Sequence, residues 1–349
     1  MAGSGLKALR IIVPLALVLA LLGAVGALVR SGLRSLDEPL SVAAPMVFKI
    51  APGTPFARVA GELAGRGVVA QPRAWVLYAR LQGLASSIKA GEYEIEPGAT
   101  PRTLLEKLVS GQVLLHSFTI VDGWRVADLL AALKRNPDVA VTLPDAPHDL
   151  MQKLGFEKLD PEGEFLPETY RFPSGTSDVE LLRQAHAALE RELDSAWAER
   201  DPTLPLHSPY ELLIAASIVE KESGVPQELP KIAGLYLHRL RIGMRLQADP
   251  TVIYGLGDRY DGQLHSVDLR TDGPYNTYTR AGLPPTPIAL ASTAVIRATA
   301  RPQDTDALYF VASPKDDGSH VFSATLEEQN AAVARYVAHL RQKPAEPSR

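Results

Sequence analysis

The 349-residue chain contains no cysteine. Disulfide frameworks, thiolate catalysis, zinc fingers and iron–sulfur clusters are excluded with it; the absence is compatible with an oxidising compartment but assigns none. Neither charge sign dominates. Lys and Arg number 36 against 40 Asp and Glu, a net charge of −4, so no basic footprint points to nucleic acid as a partner. The eight histidines show no H-E-x-x-H or similar ligand spacing, and the sequence predicts no metal and no cofactor. Ser217 and Ser223 lack a G-x-S-x-G context, which argues against a serine hydrolase. No internal repeat or long low-complexity tract occurs. The remaining composition, 46% hydrophobic and 22% charged, is that of a globular chain of about two domains. With 28 prolines, many loops should be stiff.

One long hydrophobic run stands out. Ile11 to Val29 is uninterrupted by polar residues, and as a helix it would rise about 28 Å, close to the hydrocarbon thickness of a bilayer. Lys7 and Arg10 precede it; Arg30 and Arg34 follow. A ten-residue leader before such a run reads as a signal anchor with a cytoplasmic start and an exported body. The alternative is a cleaved signal peptide, but the run is longer than the usual 7–15 residue apolar core of one.

The expected fold class is α+β, in this order: a leader (1–10), a single N-terminal transmembrane helix (11–29), a linker (30–45), a small α+β module (46–115), a mixed α/β catalytic domain (116–342) and a polar tail (343–349). Within the module, Met46–Ile50 reads as a strand, Phe56–Gly65 and Pro72–Gly83 as helices, and Lys89–Ile95 as a strand. A helix follows over 100–110, with Thr100 as N-cap and Pro101 at its first position. Further on, 113–121 reads as a strand and 125–134 as a helix, then a Pro/Asp-rich loop over 136–148. Helices are expected over 178–200, 231–242, 289–300 and 325–341. A strand at 308–312 is expected to pair with Val321-Phe322 across the Asp317-Gly318 turn. The stretch 247–287 reads as loop, dense in Tyr, Asn, Asp, Gly and Pro.

The segment YELLIAASIVEKES (210–223) carries the chemistry. Ser208, Pro209 and Glu211 form a capping box at its start. Gly224 and Pro226 stop the helix after about Ser223. At 100° per residue, Ile218, Ala215, Val219 and Ile214 lie within about 80° of Glu222, and Glu220 points nearly opposite. Glu222 thus extends an apolar face at a helix C-terminus. Desolvation and the helix dipole both raise the pKa of a carboxyl placed there. A carboxylic acid kept protonated near neutral pH is what cleavage of a glycosidic bond needs.

Four segments give the chain a family resemblance: IAASIVEKES (214–223), LHRLRIGMRLQADPTVIYGLG (237–257), PYNTYTRAGLPPTPI (274–288) and LYFVASPKDDGSHVFSATLEEQN (308–330). In this order they resemble the YceG-like endolytic murein transglycosylases, membrane-anchored lytic transglycosylases, over most of 45–340. The resemblance implies cleavage of the β-1,4 bond between N-acetylmuramic acid and N-acetylglucosamine within nascent, uncrosslinked peptidoglycan strands, leaving 1,6-anhydromuramyl ends. It implies a LysM-like fold for the membrane-proximal module, an inner-membrane location with the catalytic domain in the periplasm, and peptidoglycan synthases as partners. Glu222, the second acid of E-K-E, stands at the family's catalytic position, followed by Ser223. Two positions depart from the pattern: Gln329 precedes Asn330 where the family often has His, and Thr286 stands where glycine is frequent.

Other site candidates have two readings each. Tyr275, Asn276 and Tyr278 either bind N-acetyl groups and sugar faces or stiffen the loop between Pro274 and Pro284. Gln247 and Asp249 either line the cleft or cap the Pro250–Tyr254 segment. Glu220, Asp249 and Asp272 are second-carboxyl candidates if the enzyme is a hydrolytic muramidase, which needs two. A catalytically silent glycan-binding scaffold is the remaining alternative. Glu162, Glu164 and Glu168 are expected to fix a loop near the cleft, His320 to sit in a hairpin, and His238 to be a satisfied core or interface histidine.

Overall fold

A computed structural model of the chain describes residues 4–143, 149–156, 159–222 and 224–342, with the side chains of residues 4–16 and 18 outside the description. Ser223, part of the expected loop 136–148 and the polar tail also lie outside the described residues. The chain divides into two units: 1–116 with 172–174, and 117–171 with 175–349.

The first unit begins with helix α1 (Ser4–Arg34). Leu17, Leu19, Leu21, Leu22, Val25, Leu28 and Val29 on it are all exposed. Among the described residues no helix is long and apolar enough to cross a membrane; the side chains of residues 11–16, the first part of the apolar run, are not among them. Strand β1 (Met46–Ile50) is followed by α2 (Phe56–Gly65), α3 (Pro72–Leu81) and β2 (Gly91–Ile95). β1 and β2 pair antiparallel, Met46 opposite Ile95 and Ile50 opposite Gly91. Their inward residues Phe48, Ile50, Tyr93 and Ile95 meet the apolar stripes of the helices, with Phe56 edge-on to Trp75 at 4.8 Å. Helix α4 (Pro101–Ser110) closes the unit. Thr100 caps it as the sequence predicts, and Thr103 reciprocates through its own hydroxyl.

The expected linker 30–45 is not a free tether. Helix α1 runs through its first residues, and Leu36 and Leu40 are buried in the module core. Arg102 ties Asp37 down with bonds of 2.8 and 3.4 Å, and Leu40 N–H reaches Ala99 O. Two leucines four residues apart gain more by burial than they would in solvent.

In the second unit the elements run β3 (Leu115–Thr119, where the chain enters the unit), α5 (Val126–Arg135), β4 (Val139–Ala140), α6 (Leu150–Leu154), β5 (Thr169–Pro173), β6 (Thr176–Ser177), α7 (Asp178–Ala198), α8 (Pro209–Glu220), α9 (Leu229–Arg241), α10 (Asp249–Leu256), α11 (Ser266–Arg270), α12 (Thr293–Ala300), β7 (Tyr309–Ala312), β8 (His320–Ser323) and α13 (Leu326–Gln342). The architecture is α+β, helices with short two-stranded ribbons. β7 and β8 pair antiparallel, Phe310 opposite Phe322, as the turn signal predicts. Helix α8 is the hub, packed against α7, α9 and α12.

Every residue of α8 from Leu212 to Val219 is buried. That overturns the one-sided helix of the sequence reading: the segment is apolar all round because it is enclosed all round. The helix also ends at Glu220, with Lys221 as its C-cap, so Glu222 sits in the turn beyond it and not on a helical face. Its N–H closes that turn onto Val219 O at 3.1 Å. The capping box is half formed. Ser208 accepts from Glu211 N–H, but the Glu211 carboxylate accepts from His207 N–H, one residue earlier than the motif requires. The loop expected over 247–287 holds two helices, α10 and α11. Asp249 in the first turn and Pro250 just inside α10 are helix-start residues.

Candidate active site

The turn after α8 sends the three residues of E-K-E to three different places. Glu220 Oε2 accepts from the backbone N–H and hydroxyl of Ser292, at 2.9 and 2.7 Å. Ser292 is the N-cap of α12, so this carboxylate is spent on a helix start, where negative charge is favoured. Burial raises its pKa and the Ser292 bonds oppose that. Lys221 Nζ donates to Gly123 O at 3.1 Å. Glu222 Oε1 receives the hydroxyl of Tyr236 at 2.5 Å.

The Glu222 carboxyl is pushed up to about 7. Desolvation is the main cause; the Tyr236 hydroxyl opposes it, the negative charge of Asp249 adds to it, and Arg239 opposes it. A carboxyl in this state is about half protonated at neutral pH and can both give and take a proton, which suits general acid and then general base work. Helix α9 contributes Tyr236 and Arg239, both buried. Arg239 donates to the carbonyls of Leu308 (2.6 Å) and Leu246 (2.5 Å) and lies over the Tyr309 ring.

The start of α10 is sewn to the 275–278 loop. Gln247 N–H bonds Thr277 O, Ala248 N–H bonds Thr277 Oγ1 at 3.0 Å, and the Thr251 and Thr277 hydroxyls lie 2.9 Å apart. Tyr278 hydroxyl donates to Asp249 Oδ1 at 2.5 Å. Gln247 is exposed, with φ at +50°, a backbone state uncommon outside glycine.

The predicted residues therefore fall into groups. Glu222, Asp249 and Tyr278 act on one another electrostatically. Tyr275 and Asn276 line a cavity of about 400 Å³ with Val252, Tyr254, Arg259 and Asp268; Glu222 is not part of that lining. Asn276 is buried, and its amide nitrogen donates to the carbonyls of Asp268, Leu269 and Thr271 while its oxygen accepts Tyr278 N–H. Tyr275 hydroxyl bonds Thr286 Oγ1 at 2.9 Å, and its ring meets Tyr254 edge-on. Asp272 is paired with Arg280 on the surface. Glu162 and Glu164 are buried and Glu168 is exposed. Glu162 joins the α5 start to α10, accepting Val126 N–H and the Tyr254 hydroxyl. His320 sits at the start of β8 and bonds Glu228 at 2.7 Å; His238 Nδ1 bonds Thr305 O at 3.1 Å. Among the described residues no three His, Asp or Glu side chains gather as a metal-ligand set.

The YceG-like family model matches residues 48–335. The chain belongs to the YceG-like family. It is 30% identical over 314 residues to an endolytic murein transglycosylase of Bacillus subtilis, covering 83% of this chain and 84% of that protein. A Streptococcus pneumoniae protein of the same name is 25% identical over 307 residues, 78% of this chain; the match spans 54% of that longer relative. A crystal structure of a putative YceG-like protein from Listeria monocytogenes matches 82% of this chain and 98% of its own, at 25% identity and a TM-score of 0.47.

In this YceG-like chain the sequence reading missed Tyr236 and Arg239. They stand three residues apart on one face of α9, within a segment whose periodicity reports only a packed helix. Two polar residues on that apolar face were the available signal; the target of Tyr236, a turn fourteen residues upstream, was not.

Proposed function

We propose that this chain is an endolytic lytic transglycosylase that cuts peptidoglycan strands between N-acetylmuramic acid and N-acetylglucosamine. Glu222 gives its proton to the glycosidic oxygen as the bond from muramic acid C1 breaks. The resulting carboxylate then takes the proton of the C6 hydroxyl, whose oxygen closes on C1. One group serves both steps, no water is consumed, and the new end is a 1,6-anhydro ring. The observation that carries this reading is the Glu222 carboxyl, raised to about 7 by desolvation and held by the Tyr236 hydroxyl in the turn after a buried helix. The names of the Bacillus and Streptococcus relatives support the same substrate.

Asp249 supports a second reading. Its charge acts on Glu222, and paired carboxyls with split protonation are the equipment of a hydrolytic muramidase. Mass spectrometry of products from uncrosslinked glycan separates the two. Transglycosylation conserves the summed mass of the strand in its fragments; hydrolysis adds one water per cut and leaves reducing ends. Water-added products would replace the first reading by the second.

We further propose that the apolar run 11–29 anchors the chain in the inner membrane with its body in the periplasm. The uninterrupted run and the exposed leucines of α1 support this. The strand–helix–helix–strand order of the module supports a LysM-like role on glycan. The family resemblance supports peptidoglycan synthases as partners.

A further inference from the structure

Glu222 has two oxygens, and a proton cycle through one carboxyl needs no reorientation of the group when the same oxygen faces the substrate in both steps. The structure treats the two oxygens unequally. Oε1 receives the Tyr236 hydroxyl. Tyr236 itself is buried in the main core of the second unit, and its ring meets Phe310 of β7 edge-on, 6.2 Å between centroids at 87°. That hydroxyl is carried on a ring with no room to swing. One turn further along α9, Arg239 is held to the Leu308 and Leu246 carbonyls. It places positive charge near the site, and among the described residues no ion pair joins it to Glu222.

We propose that Tyr236 is the positioning residue of this site: its fixed hydroxyl occupies Oε1, confines the transferable proton to Oε2, and so aims one oxygen at the scissile linkage for both donation and return. This rests on the function proposed above. A neutral carboxyl has one O–H and otherwise only acceptor positions. With a phenol donating to Oε1, the carboxyl proton belongs on Oε2. Burial holds the Tyr236 hydroxyl well above the ordinary phenol range, so it stays a donor throughout the working pH range and does not itself supply the proton. After donation the same bond becomes charge-assisted and stronger. Arg239 stabilises the carboxylate from a distance, without the close pairing that would hold the acid permanently ionised. The charged and titratable groups acting on Glu222 are thus Tyr236 and Arg239 from α9, Asp249 from α10 and, through Asp249, Tyr278 from the loop before α12.

The test is Tyr236→Phe in the full-length chain, read in two ways. Steady-state cleavage of uncrosslinked glycan across pH should show kcat reduced roughly ten- to a hundredfold, the range for losing a bond to a charged group. KM should be little changed. The alkaline limb of the pH profile should move upward, because a bond favouring the carboxylate has been removed. Independently, carbon-13 NMR of glutamate carboxyls, with Glu222→Gln identifying the resonance, should show the Glu222 titration moving upward in the same variant without any substrate. Should Tyr236→Phe fail to fold, a fluorinated tyrosine at 236 keeps ring and hydroxyl but strengthens the donor, and the Glu222 titration should move downward. An unchanged titration and pH profile, or a loss confined to KM, overturns the proposal. A wild-type chain that cuts no glycan overturns the proposed function instead; the carboxyl titration still decides Tyr236, because it is read without glycan.

Discussion

Asp249 and Tyr236 act on Glu222 in opposite senses, which gives the residue scale its sharpest prediction. Asp249→Asn removes a negative charge that disfavours the Glu222 carboxylate, so the carboxyl should lose its proton at lower pH. Glycan cleavage measured against pH should then lose its alkaline activity earlier than the wild type; a limb that stays in place would remove Asp249 from the electrostatics of the site. The family resemblance puts Glu222, and not Glu220, at the catalytic position of the E-K-E motif, but the helical-wheel argument for it rested on a helix about three residues too long. What separates the two acids is where the helix stops: Glu220, its last residue, turns to the Ser292 cap, and Glu222, past the C-cap, turns to Tyr236. Asn276 shows the same limit. Its residue type suggested hydrogen bonding, and the sequence could not say that three carbonyls at the end of α11 take up the amide.

At the scale of elements, Ser217 is the seam between α8 and the segment entering α12. Its hydroxyl donates to Ile214 O (2.8 Å) and accepts Ile288 N–H (3.0 Å), with the residue fully buried. Ser217→Ala should strand that buried N–H and cost about 1–3 kcal/mol, read as a lower midpoint in urea with an unchanged slope. A cost near zero would mean the seam does not depend on this bond. Elements with plain 3.6-residue periodicity were legible to within a residue or two, as in α2 and α4, since their stripes face one core. Helix α10 was not: Tyr, Gly, Asp and Pro in DPTVIYGL suggest a loop, and only the tertiary bonds of Ala248 and Thr251 to Thr277 settle the matter. The end of α8 was missed because a run apolar on every side gives no face from which to measure.

For the whole molecule, buried acids tie stability to pH. Burial pushes both Glu162 and Glu164 up to about 7. Between the ordinary glutamate range near 4.5 and about 7, the native chain holds protons that the unfolded chain has released. Each group's favourable contribution is therefore complete below about 4.5 and lost as pH rises through about 7. Glu164 lies beside the equally buried His186, 3.3 Å from its Nδ1. Glu164→Gln cannot ionise and should reduce the fall in stability between pH 5 and 8 by on the order of 2–3 kcal/mol, measured by denaturant titration at both values. An identical fall in variant and wild type would show that this carboxyl titrates as it does in the unfolded chain.

The account as a whole stands on Glu222 as the group that both gives and recovers the proton. Its most direct test is the cleavage rate of uncrosslinked glycan by Glu222→Gln against the wild type, with equal folding verified by circular dichroism. The amide keeps the shape of the side chain and cannot deliver the proton, so the rate should fall roughly 100-fold or more. A variant that cuts at the wild-type rate would contradict the account.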